Sequence, residues 1–153
     1  MKTSIMLVVI VALTILACGK DKFQTVPQLK IKSKSADVVS LNENLRVTIE
    51  YTDKQGDVDD SLIIVRQRLN VKKPLTLAPS PYKIPTFPDT QKGEFEVNFR
   101  YNFDLTVGLT PIPIPGSNPQ QNEPDTMVLK FVARDKAGNK SDTVTTNVIV
   151  RRS

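Results

Sequence analysis

Histidine and tryptophan are both missing from this chain of 153 residues, and Cys18 is its one cysteine. Without histidine the usual general base is missing, and Ser-His-Asp triads and histidine-ligated metals are excluded. Without tryptophan the chain lacks the residue that sugar-binding and choline-binding surfaces use most. No glycine-rich phosphate loop occurs, and no two carboxylates are marked out as a hydrolase pair, although such a pair stays formally possible. The sequence therefore predicts a protein that is not an enzyme.

The first 18 residues have the pattern of an export signal. Lys2 supplies a positive charge, and an apolar run extends from Ile5 to Ile15. This run is shorter than the roughly 20 residues that a membrane span needs. A basic start, a short apolar core and a small residue before a cleavage site are typical of a secretory signal peptide.

The end of this segment, Ile15-Leu16-Ala17-Cys18 followed by Gly19, resembles the lipobox of bacterial lipoproteins. The resemblance implies that the chain is cleaved before Cys18, that the Cys18 thiol receives a diacylglycerol and that the new amino terminus is acylated. Cys18 would then bind membrane lipid, and two acyl signals give stable anchoring. The alternatives are an ordinary signal peptide and an uncleaved anchor. With the lipobox, residues 1–17 are a signal peptide and residues 18–26 are a lipidated cysteine and tether.

The charge of the chain does not favour nucleic-acid binding. Removal of residues 1–17 deletes one of the 21 basic residues, Lys2, which leaves 20 against 16 acidic ones. These charges are spread along the chain, whereas nucleic-acid binding needs a concentrated basic face with supporting motifs. We therefore expect no nucleic-acid partner.

Residues 27–153 consist of short alternating segments separated by turn residues, which predicts one all-β domain. The clearest alternation places Phe95, Val97 and Phe99 on one face, and it continues to Phe103. Two proline-rich connections, 78–92 and 104–125, are expected to be loops because proline removes a ladder donor. The predicted strands are 28–33, 45–52, 61–69, a short one within 71–77, 94–103, 126–134 and 143–151.

The segment from Phe131 to Ser141, with the strand after it, resembles the last hairpin of bacterial immunoglobulin-like and fibronectin-III-like domains. Those domains often end in an Ala-x-Asp-x-x-Gly-Asn-x-Ser turn, which Ala133 to Ser141 matches. The resemblance and about seven short strands predict a single immunoglobulin-like antiparallel β-sandwich. A resemblance of this kind supports a fold and says little about activity.

An acidic loop between the second and third predicted strands is a candidate calcium site. Its carboxylates, which surround the turn residue Gly56, suit a hard cation that takes six to eight oxygens. The alternative is a solvated turn in which aspartates cap backbone amides. Because alternating strands bring their loops to one pole, we expect this loop to lie near Asp135 and Asn139, at the end where the tether enters. The candidate ligands are Asp53, Asp57, Asp59 and Asp60.

The connection 104–125 is a candidate partner-binding segment at the opposite pole. Loops longer than about 15 residues are often functional or disordered. Its prolines favour an extended conformation, with Ile112 and Ile114 as candidate apolar contacts. A mobile insertion is the alternative.

These features predict a lipoprotein of the cell envelope, anchored in the outer membrane, that acts as a non-enzymatic binding, adhesion or accessory-subunit module. Its partner would be an envelope or extracellular protein. The alternative is a Ca²⁺-dependent module for a carbohydrate or protein ligand. Three Asp-Ser/Thr-apolar segments, beginning at Asp60, Asp125 and Asp142, also resemble the O-glycosylation motif of exported Bacteroidetes proteins, although turn-to-strand junctions produce this pattern unaided.

Overall fold

The computed structural model describes residues 24–153, so the predicted signal peptide, the lipobox with Cys18 and most of the tether lie outside the described residues. Within this range no helix is long and apolar enough to cross a membrane. A π-helical turn covers Tyr101–Leu105. The strands are β1 Gln28–Lys34, β2 Val38–Val39, β3 Leu45–Thr52, β4 Ser61–Arg68, β5 Leu75–Thr76, β6 Ser80–Lys83, β7 Lys92–Phe99, β8 Asp125–Arg134 and β9 Val144–Val150.

The strands form two sheets that pack face to face. The smaller sheet has the order β1-β3-β7, and the larger one has the order β2-β9-β8-β4, with β5 and β6 sharing the outer edge of β4. All pairs are antiparallel except β2 with β9. The domain is an immunoglobulin-like β-sandwich, which confirms the predicted fold class.

Alternation along the strands builds the core. In β3 every second residue from Leu45 to Tyr51 is buried, and in β8 the same holds from Asp125 to Ala133. These two buried rows face each other between the sheets, where Phe99 meets Phe131 edge to face at 6.1 Å between ring centroids. The period of two in the sequence therefore sets which face of each strand is interior.

The strand predicted over 94–103 is too long, because β7 ends at Phe99. Asp104 accepts hydrogen bonds from the Arg100 backbone N–H and from Arg100 Nε, both at 2.8 Å. These hydrogen bonds turn the chain out of the strand direction, and Leu105 N–H donates to the Arg100 carbonyl. Tyr101 and Phe103 consequently leave the strand pattern: Tyr101 is buried, whereas Phe103 is 67% exposed.

Two further expectations about β-structure are corrected. The segment 78–92 is not a loop throughout, since β6 pairs with β4 and places Pro81 opposite Ile63. Proline is tolerated there because β6 is an edge strand, where a missing donor costs no ladder bond. The strand expected within 71–77 shortens to two residues, Leu75 and Thr76, and β2 was missed.

A buried ion triad closes one pole of the sandwich, at the end of β4 and β9 and the start of β8. Asp125 lies 3.2 Å from Arg68 Nη1 and 2.6 Å from Arg152 Nε, and Asp125 and Arg68 are almost fully buried. The same arginines donate to the carbonyls of Thr110 and Leu109. The triad therefore fastens the 104–125 connection to the sheet at this pole.

Candidate functional site

The acidic loop after β3 is held in a fixed turn at the opposite pole. Asp53 Oδ2 accepts hydrogen bonds from the backbone N–H groups of Gln55 at 3.1 Å and Gly56 at 2.8 Å. Gly56 has φ +77°, and a Cβ there would meet the Thr90 backbone nitrogen at 2.6 Å. Glycine is required because the backbone is left-handed and the neighbouring loop is in contact. The chain enters the domain beside this turn, where Lys54 N–H donates to the Gln24 carbonyl at 2.8 Å.

Three carboxylates converge at this pole. Asp53 and Asp57 come from the β3–β4 loop and Asp135 from the β8–β9 turn, and one oxygen of each lies within 4.8 Å of the others. Asn139 donates to both oxygens of Asp135, from its backbone N–H at 2.7 Å and from Nδ2 at 2.8 Å. The acidic loop was expected to lie near Asp135 and Asn139, and the structure shows this for Asp53 and Asp57. We call these three residues the carboxylate cluster.

Asp59 and Asp60 do not join the carboxylate cluster. Asp59 lies 3.1 Å from Lys136 Nζ, an ion pair in which its buried oxygens have no well-oriented hydrogen bond. Asp60 lies 2.9 Å from Arg134 Nε and accepts a hydrogen bond from the Ser61 hydroxyl. The four candidate ligands from the sequence therefore divide into two pairs: Asp53 and Asp57 belong to the carboxylate cluster, whereas Asp59 and Asp60 are ion-paired with basic side chains.

The cluster perturbs one of its own members. Burial raises the pKa of Asp57 above its usual value, and the nearby charges of Asp135 and Asp53 raise this pKa further. Burial of a carboxylate disfavours its charged form, and like charges act in the same direction. The site therefore concentrates negative charge in a place that favours either protonation or a bound cation.

A second feature is an apolar groove of about 720 Å³ that opens between the two sheets. Its base is formed by Leu62 and Ile64 of β4, and one wall is formed by residues 84–87. The other wall is β7, whose interior side chains Phe95 and Val97 are half-buried. The volume is within the range of about 300–1,000 Å³ that is usual for ligand sites.

An aromatic stack forms one end of this groove. The Tyr51 ring stacks on Phe95 with 4.7 Å between centroids, and Phe87 lies 5.9 Å from Tyr51. Gly93 makes the stack possible, since a Cβ at this position would meet the Tyr51 hydroxyl oxygen at 2.5 Å. Burial is the main cause that raises the pKa of Tyr51. The phenol is therefore neutral at physiological pH.

β7 is an edge strand, and its outer edge borders the groove. It pairs with β3 alone, and Asp53 N–H donates to the Gln91 carbonyl in the same register. Hydrogen-bonded pairs alternate along an antiparallel ladder, so the backbone groups of Phe95 and Val97 point to β3. Those of Glu94, Glu96 and Asn98 point outward, where no strand of the described range 24–153 pairs with them.

The 104–125 connection is more closely packed than expected. The Ile112 side chain is 2% exposed, and Ile114 is half-buried. Both are held by backbone bonds, since Glu123 N–H donates to the Ile112 carbonyl and Ile114 N–H to the Gln121 carbonyl. Ile112 is therefore an interior residue here, and the proposal of an apolar contact in this loop narrows to Ile114.

The groove was not predicted from the sequence. Asp135 was expected near the acidic loop, but it was not named as a candidate ligand. The groove follows from the different sizes of the two sheets, which no local pattern reveals. A signal for Asp135 did exist, because the same strand directions that place the two loops at one pole also bring its carboxylate to Asp53.

No protein-family model and no curated protein sequence matches this chain. Among solved structures, the sporulation control protein Spo0M from Bacillus subtilis is similar over 84% of this chain, with 10% identity and a TM-score of 0.46, and the chain spans half of that protein. A Niemann-Pick type C2 protein from Japanese carpenter ant is similar over 86% of this chain and 98% of its own, with 11% identity and a TM-score of 0.45. A β-glucosidase from Listeria innocua is similar over 82% of this chain and 16% of its own, with 14% identity and a TM-score of 0.45. These values transfer no function to this chain.

Proposed function

We propose that this protein is a lipoprotein of the cell envelope whose β-sandwich domain binds an extended segment of a protein partner and catalyses no reaction. The observation that carries the proposal is the outer edge of β7, which lies beside the apolar groove with its backbone groups of Glu94, Glu96 and Asn98 directed outward. An edge of this kind accepts an added strand, in which main-chain bonds give affinity and side-chain pockets give specificity.

The geometry favours a peptide over a purely apolar small molecule. The outward N–H and C=O groups of β7 border the groove, and an apolar ligand would cover them without supplying hydrogen bonds. Burying an amide group without a partner costs about 1–3 kcal/mol in proteins. An extended segment satisfies these groups, and it places alternate side chains over Phe95 and Val97.

The charge of the edge indicates the chemistry of the partner. Glu94 and Glu96 lie on the outer face of β7, where Glu94 already pairs with Lys32 of β1. A second copy that pairs antiparallel with β7 through a two-fold axis would bring glutamates opposite each other, and like charges opposite in a sheet are destabilising. The fitting partner is therefore a strand that alternates apolar and basic residues.

The test uses the full chain in detergent and an eight-residue capped peptide that alternates valine and lysine. Binding is followed by calorimetry and by NMR hydrogen exchange of the amides of residues 94–98. We expect saturable binding that slows exchange at Glu94, Glu96 and Asn98, because these amides become hydrogen-bonded. A peptide that alternates valine and glutamate should bind more weakly.

Two substitutions at Glu96 separate the contribution of its backbone N–H donor from that of its side-chain charge. Glu96→Pro removes an outward donor and leaves the pairing with β3 intact, so binding should be lost while the melting temperature changes little. Glu96→Gln keeps the donor, so binding should weaken and persist. Absence of binding to the wild type, or equal binding to Glu96→Pro, contradicts the proposal. A fatty acid that binds in the groove without slowing these amides would assign the groove to a small apolar ligand instead.

A further inference from the structure

The carboxylate cluster has no cation of its own among residues 24–153. Asp59 and Asp60 are each ion-paired, with Lys136 and Arg134. By contrast, none of the three residues Asp53, Asp57 and Asp135 takes part in an ion pair of the described residues. Three carboxylates that face one point without a counter-charge repel one another.

Two oxygens in the cluster are buried and lack a hydrogen-bond partner. Asp53 is fully buried, and its Oδ2 accepts two backbone amides while its Oδ1 has no hydrogen-bond partner. The same holds for Asp57 Oδ1, which is also shielded from solvent. Buried polar atoms in folded proteins are almost always satisfied, so an orphaned carboxylate oxygen needs an explanation such as an unseen ion.

The dimensions suit a calcium ion. Calcium binds oxygens at about 2.3–2.6 Å, so ligands on opposite sides of it are about 4.6–5.2 Å apart. The three oxygens, which lie within 4.8 Å of one another, fit around one such ion. Magnesium binds oxygens at about 2.0–2.1 Å, dehydrates reluctantly and is usually held by only one or two carboxylates, so a set of three carboxylates favours calcium.

We propose that Asp53, Asp57 and Asp135 bind one calcium ion that ties the β3–β4 loop to the β8–β9 turn. A direct link already joins these segments, since Lys136 N–H donates to the Asp57 carbonyl at 3.2 Å. The ion neutralises the cluster and adds a second link, so its role is structural. With three protein carboxylates and water in the other positions, its affinity is on the order of 10⁻⁴–10⁻³ M, as in extracellular calcium modules. The argument for this site does not rest on the proposed partner binding at β7.

The experiment measures thermal unfolding and calorimetric heat of the full chain in detergent with calcium chloride. At a calcium concentration of ten times the dissociation constant, we expect the melting temperature to rise by roughly 3–6 °C. Magnesium chloride at the same concentration should give less than half of this shift.

The principal variant is Asp57→Asn, because its side chain supports the loop least: Asp53 accepts two backbone amides, and Asp135 holds Asn139. The variants Asp57→Asn and Asp135→Asn should both lose the calcium shift. Asp142→Asn, which changes an exposed aspartate in the same turn region, should keep it. Wild type that shows neither heat nor a shift at millimolar calcium overturns the proposal, as does a full shift in both cluster variants. An equal shift with magnesium overturns the assignment to calcium.

Discussion

Asp125→Asn should destabilise the domain by about 3–5 kcal/mol, the usual effect of removing one partner from a buried ion pair. Asp125 is fully buried between Arg68 and Arg152, whose side chains are 2% and 8% exposed. Asparagine has nearly the same shape and no charge, so the substitution leaves two buried guanidinium groups without a counter-ion. These groups cannot move into water without releasing the carbonyls of Thr110 and Leu109 that they hold.

The size of this effect can be expressed as a melting temperature. The described range 24–153 contains 130 residues, and unfolding entropy is about 2.1 cal/mol/K per residue, which gives about 3.7 °C per kcal/mol. Asp125→Asn should therefore lower the melting temperature by about 11–18 °C, as measured by circular dichroism and checked by urea unfolding. The matched control is Asp37→Asn, which breaks an ion pair with Lys34 where the aspartate side chain is 84% exposed. Surface pairs contribute at most about 1 kcal/mol, so a loss for Asp125→Asn no larger than that of the control would refute this reasoning.

Three further changes test other parts of the structure. Gly56→Ala forces a Cβ against the backbone of the neighbouring loop at a residue with positive φ, so urea unfolding should show a loss of at least about 1–2 kcal/mol. Cys18→Ser should abolish lipidation. Intact mass spectrometry should show that the wild type has lost residues 1–17 and gained acyl mass, and that the variant carries no acyl mass. An acylated variant would contradict the lipobox prediction. The hydrogen bond from Arg100 lowers the pKa of Asp104 below its usual 3.8, so this carboxylate stabilises the fold above pH 3.8 and stops doing so as pH falls through its lower folded pKa. Urea unfolding from pH 2.5 to 6 should therefore show wild type and Asp104→Asn converging at the acidic end, and a gap that stays constant would contradict this assignment.

Local periodicity was sufficient to predict most of the sandwich. The alternation in Leu45 to Tyr51 and in Phe95 to Phe99 marks strands because each has one buried face. Chain direction then gave the pole at which the acidic loop meets Asp135. Both predictions depend on rules that act within a strand or between consecutive strands, and sequence carries this information directly.

Features that depend on particular side-chain contacts could not be predicted from periodicity. The end of β7 was missed because the Asp104 carboxylate accepts hydrogen bonds from Arg100, four residues earlier, and these bonds turn the chain although the alternation of apolar residues continues. The triad joins Arg68 at the end of β4, Asp125 at the start of β8 and Arg152 just after β9, and none of these residues is distinguished by its neighbours in sequence. The groove arises because the sheet with β7 has three strands and the other has six.

The carboxylate cluster and the groove share a structural element, the segment 84–91. Thr90 N–H donates to the Gly56 carbonyl at 3.0 Å, and Thr90 also lines the groove together with Phe87. Lys136 contacts both loops, at 3.1 Å from Asp59 and 3.4 Å from Asp89. An ion that fixes the acidic loop should therefore also fix one wall of the groove, and we expect calcium to strengthen peptide binding modestly. Because the β7 edge itself contains no cluster residue, Glu96→Pro should leave the calcium shift intact, whereas Asp57→Asn should retain peptide binding that no longer responds to calcium.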